Sequence, residues 1–237
     1  MKNIYEPEYV KQLFNQMSSS YERVNYITSF GFSIRWRKQF LNKLGKSAEK
    51  LNVLDIMSGL GENWVHLKTN FPNACFTVLD FSEQMIINSK LKANRVFGNN
   101  TEIMCANVLQ SGLPDNNYDI VSCAFGLKTF NEEQFNLLAK EINRILKPGG
   151  KFTFVEVSTP DNKILSFFYS FYVGKVIPIF GKVFLGNPED YKMLWIYTSN
   201  FKNSKKIKTI FESHGLNVNY SDYFFGCASG INGNKYK

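Results

Sequence analysis

Short apolar runs alternating with amphipathic stretches dominate the middle of the chain. The runs at 51–56, 75–80, 102–105, 118–124 and 151–157 read as buried strands. Between them, 62–70, 83–93 and 132–146 carry apolar residues at helical spacing. Ser82 before Glu83 and Asn131 before Glu132 offer N-cap oxygens with acids in the first turn. Lys147-Pro148-Gly149-Gly150 stops the third of these helices and turns the chain into the fifth strand. Strands alternating with helices predict a parallel, doubly wound sheet.

The flanks differ from this core. Residues 5–45 read as helical and amphipathic, with Val10, Phe14, Met17 and Tyr21 at helical spacing. Residues 160–200 form an aromatic-rich insertion, in which Lys175, Pro178, Lys182 and three glycines (Gly174, Gly181, Gly186) argue against a membrane-spanning helix. A helix over 203–213 and strands near 216–223 and 226–232 close the chain and bring the sheet to seven strands. The expected organisation is one domain over 1–237: a helical cap (1–48), a ligand-binding core (49–159), a lid insertion (160–202) and a C-terminal helix with strands (203–237).

A chain of 237 residues with 44% hydrophobic content can bury one sizeable core. Cys75, Cys105, Cys123 and Cys227 are scattered, three of them on predicted buried strands, as for reduced structural cysteines in a cytoplasmic protein. His66 and His214 are the only histidines, and no metal-type spacing appears, so no metal site is expected. The segment Met1 to Pro7 lacks the apolar core of a signal peptide. A formal charge of +8 suits an anionic partner, such as a membrane surface, a nucleic acid or an acidic substrate, and equally a solvated lysine-rich surface. The densest basic cluster, Lys202 to Lys208, lacks the interleaved aromatics of a single-strand nucleic-acid groove.

The candidate chemistry lies where the first strand ends. Asp55-Ile56-Met57-Ser58-Gly59-Leu60-Gly61-Glu62 is a glycine turn opening a helix, and the next strand ends Leu79-Asp80-Phe81-Ser82. Glycines let the backbone approach a ligand, and an acid on the neighbouring strand tip is placed for ribose hydroxyls. A dinucleotide fingerprint wants a third glycine where Trp64 stands, which speaks against NAD or FAD. Asp55, Gly-x-Gly and an acidic second strand resemble the first two motifs of class I S-adenosylmethionine-dependent methyltransferases.

Beyond these motifs, the chain resembles the ubiquinone/menaquinone-biosynthesis C-methyltransferase family (the UbiE type) nearly end to end. The likeness begins with Phe14, Met17, Tyr21-Glu22, Asn25, Ser29, Gly31 and Trp36-Arg37. It continues through Leu113-Pro114-Asp115, Tyr118-Asp119, Phe125-Gly126-Leu127 and Arg144 to Gly150. Glu156-Val157-Ser158-Thr159-Pro160, the run Tyr172 to Gly181, and Tyr191-x-x-Leu194 complete it. The departures cluster on the substrate side. Leu60 stands where the family usually has Thr, and Lys128-Thr129 replaces Arg-Asn. Tyr197 replaces Ser, Phe201-Lys202 replaces Phe-Pro, and Ile231-Asn232-Gly233 occupies the place of His-Arg.

The resemblance implies a Rossmann-like class I methyltransferase fold that binds S-adenosyl-L-methionine and releases S-adenosyl-L-homocysteine. It assigns Asp55, Gly59, Leu60, Gly61, Asp80, Phe81, Asn107, Val108 and Ala124 to the cofactor. Lys128, Glu156 and Tyr21 are the expected catalytic residues, Lys128 as base or as cation beside a phenolate. Trp36, Tyr172 and Tyr191 are expected against substrate, with Tyr169 and Phe171 among the lid's lining residues. The implied acceptor is an apolar or prenylated quinol or phenol undergoing C-methylation. An O- or N-methyltransferase of another lipid or natural product is the alternative, and a non-catalytic cofactor-binding protein a further one. Nucleic acid is not an expected partner, since Ala124-Phe125-Gly126-Leu127 stands where amino-methylating enzymes commonly carry an Asn-Pro-Pro-aromatic tetrad. Peripheral contact with an anionic membrane and a homodimer are both compatible with this reading.

Overall fold

The computed structural model describes residues 3–19, 21, 22, 26, 29, 31–98, 101–177 and 188–237, with the side chains of the last segment described from 192 onward. Seven strands form one sheet: β1 (Asn52–Ile56), β2 (Cys75–Asp80), β3 (Thr101–Cys105), β4 (Tyr118–Ala124), β5 (Leu146–Val157), β6 (Leu216–Tyr223) and β7 (Ala228–Lys235). Their order is β3-β2-β1-β4-β5-β7-β6, and only β7 runs antiparallel to its neighbours. The order reverses between β1 and β4, so the carboxyl ends of these strands open a crevice there, the usual ligand site of a doubly wound sheet.

Helices cover both faces. On one side α1 (Pro7–Met17) leads to α2 (Phe32–Leu41), α3 (Trp64–Asn70) and α4 (Glu83–Phe97), where Trp36, Phe40, Trp64, Leu67 and Phe97 pack on Val53, Phe76 and Val78. On the other, α5 (Glu132–Ile145) and the late helix Lys205–Ser213 set Leu138, Ile142, Ile207 and Phe211 against Val121, Phe152 and Phe154. The insertion contributes α6 (Lys163–Phe171), continued by a π-helical turn at Tyr172–Val176, and α7 (Pro188–Phe201); Lys205–Ser213 is α8. Among the described residues no helix is long and apolar enough to cross a membrane.

The expected caps form. Ser82 Oγ accepts from the Met85 N–H, and Asn131 with Gln134 makes a full capping box. Most element ends shift by one to three residues, the last strand running Ala228–Lys235 instead of 226–232 and the late helix starting at Lys205 instead of 203, and three of the differences have a plain physical reason. α3 starts at Trp64 rather than 62, because Gly59 and Gly61 hold left-handed backbone through the turn. α5 ends at Ile145, and β5 already begins at Leu146. Leu146 pairs with Tyr118 and Lys151 with Ile120, so the Pro-Gly-Gly stretch is a bulge inside the strand rather than a turn before it. α4 runs on to Phe97, stacking that ring on Phe76. The cysteine expectation needs correcting too. All four are free, but only Cys123 and Cys227 are buried, while Cys75 opens β2 and Cys105 ends the edge strand β3, both exposed.

Candidate active site at the carboxyl edge of the sheet

The first elements of the site are two carboxylates that end adjacent strands. Asp80 Oδ2 accepts from the Gly59 N–H (2.8 Å) and Oδ1 from the Ser82 N–H (2.9 Å), which ties the glycine turn to β2. Burial raises its pKa to about 6 against these backbone bonds. Asp55 is enclosed more completely. Its oxygens accept from Ser122 Oγ (2.6 Å), Asn63 Nδ2 (3.2 Å) and the Trp64 indole N–H (3.1 Å), and burial raises it to about 7. Three donors from β4 and α3 surround Asp55, so it braces the turn from beneath, whereas Asp80 lies on the cleft wall. Trp64 is likewise turned inward. A Cβ at Gly61 would stand 2.2 Å from the Trp64 ring, so this glycine serves that packing as well as its left-handed backbone.

Three neighbouring spaces, which share lining residues, follow along this edge. The first is lined by Tyr5, Pro7, Val10, Phe81, Asn107, Val108 and Phe130. Asn107 caps the short turn after β3, its Oδ1 accepting from the Leu109 N–H, which leaves its NH₂ as a donor to this space. The second holds Gly59, Asp80, Phe81, Ala124, Tyr21 and Phe125, together with a polar group that the sequence reading missed. Arg37 Nε, Ser58 Oγ, Glu62 Oε1 and Asn63 Oδ1 are all buried there without a hydrogen-bond partner. Arg37 Nη2 stands 3.4 Å from Glu62 Oε1, an ion pair without a hydrogen bond, and its guanidinium lies 4.6 Å from the Phe125 ring centre. Leu60 lines an outer groove that shares Arg37 and Glu62 with this space, and it packs against the cluster of Val10, Met17 and Tyr21.

The third space is an apolar cavity of about 340 Å³, walled by Trp36, Phe125, Tyr169, Tyr172, Val173, Leu194 and Thr198. Tyr21 and Phe125 line both this cavity and the second space, and form the partition between them. Phe125 adopts φ 65° at the end of β4, a left-handed conformation that is unfavourable for a bulky residue and that delivers the ring to the partition. Trp36 and Tyr172 lie on the cavity side of it. Phe171, expected in the lining, faces solvent, because Tyr169 and Tyr172 occupy the inward positions of that helix and turn. The side chain of Tyr191 and the glycines at 181 and 186 lie outside the described residues.

Lys128 reaches the cavity as one half of a buried pair. Its Nζ donates to Glu156 Oε1 (2.8 Å) and to the Phe125 carbonyl (2.9 Å), and its backbone N–H donates to Glu156 Oε2 (3.0 Å). Burial works to lower the Lys128 pKa, but Glu156 and then Tyr21 outweigh it and hold the ammonium above its ordinary value. Glu156 also accepts from the Val157 N–H, so it positions Lys128 and its own oxygens are fully engaged.

The family model of the ubiE/COQ5 methyltransferases matches residues 2–235. The chain belongs to that family. Demethylmenaquinone methyltransferase of Staphylococcus aureus is 33% identical over 224 residues, 94% of this chain and 91% of the relative. Solved structures extend the likeness in fold. A methyltransferase of Aquifex aeolicus superposes with a TM-score of 0.57 at 17% identity, covering 83% of this chain and 88% of that one. Phosphoethanolamine N-methyltransferase 2 of Haemonchus contortus, in complex with S-adenosyl-L-methionine, gives 0.63 at 12% identity, over 86% of this chain and 53% of that longer one. A [4+2]-cyclase shares the same fold, with a TM-score of 0.59 at 14% identity over 84% and 79% of the two chains. Family membership makes this protein a methyltransferase, while the cyclase shows that the fold alone does not fix the reaction.

Proposed function

We propose that this family member transfers a methyl group from S-adenosylmethionine to a ring carbon of an apolar quinol of the demethylmenaquinol type. The observation that carries the reading is the series of spaces along the sheet edge: buried polar atoms without hydrogen-bond partners on one side of the Tyr21–Phe125 partition, and an apolar cavity with a buried ammonium on the other. The unpartnered Arg37 Nε, Ser58 Oγ, Glu62 Oε1 and Asn63 Oδ1 supply donors and acceptors together, the complement of an amino acid's carboxylate and ammonium. Asp80 would accept from ribose hydroxyls, and Phe81, Asn107 and Val108 would hold the base. When bound, the cofactor supplies an electrophilic methyl group on sulfur.

The protein's own work is placement and charge. Transfer needs the acceptor carbon about 3–3.5 Å from the methyl group with water excluded, and the aromatic cavity walls serve both needs. Lys128 lines the cavity, its ammonium held on one side by Glu156 and the Phe125 carbonyl. Aimed at a ring oxygen, the ammonium would stabilise the phenolate left when the hydroxyl proton departs. The ring carbon takes the methyl group as the carbon–sulfur bond breaks, then loses its own proton as the ring becomes aromatic again and the ring oxygen regains one. The relevant test is transfer to a short-chain demethylmenaquinol, read by mass spectrometry. Lys128→Ala should lower turnover by about 10²–10³-fold and Lys128→Arg should retain much of it, with cofactor affinity little changed in both. Wild-type turnover in Lys128→Ala, or methylation of oxygen or nitrogen instead of ring carbon, would overturn the reading.

A further inference from the structure

The outer face of α6 is built the wrong way round for a protein in water. Ile164, Phe167, Phe168 and Phe171 follow the i, i+3, i+4, i+7 spacing of an apolar stripe, yet they are 59–73% exposed and the helix has no buried residue. The inner stripe, Leu165 and Tyr169, lines the acceptor cavity. Beside α6 lies the β6–β7 turn, tied to it by the Tyr169 hydroxyl donating to the Cys227 carbonyl (3.4 Å). That turn holds Phe224 and Phe225 in left-handed backbone (φ 46° and 55°), with Phe225 77% exposed. Two bulky residues are kept in an unfavourable conformation, Phe224 with its ring against Phe32 and Phe225 with its ring largely in solvent. Phe168 and Phe224 belong to both surfaces, lining the cavity and standing exposed at its rim.

We propose that α6 and the β6–β7 turn form a membrane-docking surface that seats on an anionic bilayer and opens the acceptor cavity directly to it. Two observations select a lipid surface. Exposed Lys163 and Lys175 bracket the stripe at its two ends in a chain of net charge +8, the arrangement of an interfacial amphipathic helix on anionic lipid. The stripe is also continuous with the cavity, so an apolar acceptor need not cross water to enter. This second point rests on the function proposed above, whereas the first stands without it.

The test is co-sedimentation of the full chain with vesicles of phosphatidylcholine alone or containing about one-third phosphatidylglycerol, with no acceptor present. The wild type should bind the anionic vesicles and bind the neutral ones weakly. Phe167→Glu with Phe171→Glu should weaken anionic binding at least about tenfold, at an unchanged unfolding midpoint and with unchanged turnover on a water-soluble acceptor. Lys163→Glu with Lys175→Glu should weaken it by about fivefold or more per lysine. Failure of the wild type to bind anionic vesicles, or wild-type binding by the double Phe variant, would overturn the proposal. So would a stable wild-type dimer that the Phe variant converts to monomer with vesicle binding intact, since that would make the face a contact between copies. Vesicle binding and methyl transfer are read separately, so either can fail alone.

Discussion

Asp55 shows how one buried side chain can set the pH behaviour of the site. Its carboxyl is raised to about 7 in the fold, chiefly by burial, against 3.8 in an ordinary setting. A carboxyl protonated more easily when folded contributes stability that is full below about pH 4 and is lost as pH rises through about 7. Wild type should therefore lose stability relative to Asp55→Asn between about pH 4 and 7, by a few kcal/mol at most, with little further change above that. Urea unfolding of both proteins across that range would show it, and parallel curves would count against the raised carboxyl. The sequence made Asp55 visible as part of a motif, but its enclosure depends on Ser122, which lies 67 positions away. Arg37 and Glu62 were missed for the same reason. Each is an ordinary charged residue until α2 and the glycine turn bring them together. The hints available were their places beside Trp36 and Gly61.

At the scale of elements, hydrophobic runs identified the strands because the sheet is covered on both faces. Boundaries were less visible where glycine and proline usually mean a turn, and β5 absorbs such a stretch as a bulge. The stripe on α6 marks another limit. Periodicity reveals that a helix has an apolar side and says nothing about whether that side meets the core or the solvent. α7 ties the insertion to the N-terminal segment: the Tyr197 hydroxyl donates to the Ile4 carbonyl (2.5 Å), its ring meets Tyr5 edge-on, and Asn200 Nδ2 donates to the Tyr5 hydroxyl (3.1 Å). Tyr5, Pro7 and Val10 line the proposed base site, while Leu194 and Thr198 of α7 line the acceptor cavity. Tyr197→Phe should cost about 0.5–1.5 kcal/mol and a few degrees of melting temperature. Amide exchange over residues 4–17 should quicken and cofactor affinity weaken, with acceptor KM nearly unchanged. Unaltered exchange in that segment would show that the bond is not a tie.

For the whole molecule, the first two spaces lie between the sheet edge and α1, which is fixed by surface contacts. Lys11 pairs with Glu83 (2.5 Å), and Asn15 accepts from Ser82 Oγ (2.6 Å) and donates to Glu83 (3.2 Å). A ligand bound beneath such a cover joins the cap to the core and stabilises both. At a hundredfold excess over Kd, S-adenosylmethionine should add about 2.7 kcal/mol, or roughly 5–10 °C of melting temperature for a chain of this size. NAD should give no comparable rise, and Asp80→Ala should lose most of it. An equal rise in Asp80→Ala would remove that carboxylate from the ribose site.

The partition made by Tyr21 and Phe125 also has a bearing on how such a protein can change its trade. On the side of the glycine turn the lining comes largely from strand ends and the turns that follow them, which the sheet register holds fixed. On the apolar side it comes largely from α2, α6, α7 and the β6–β7 turn, all outside the strand ends of β1 and β2. Substitutions there can reshape what receives the methyl group while leaving intact what donates it. Lys128, which lines the apolar cavity, departs from the family pattern, whereas Gly59 and Asp80, on the other side of the partition, keep it. In lineages built on this plan, the donor chemistry is inherited and the acceptor is the part open to revision.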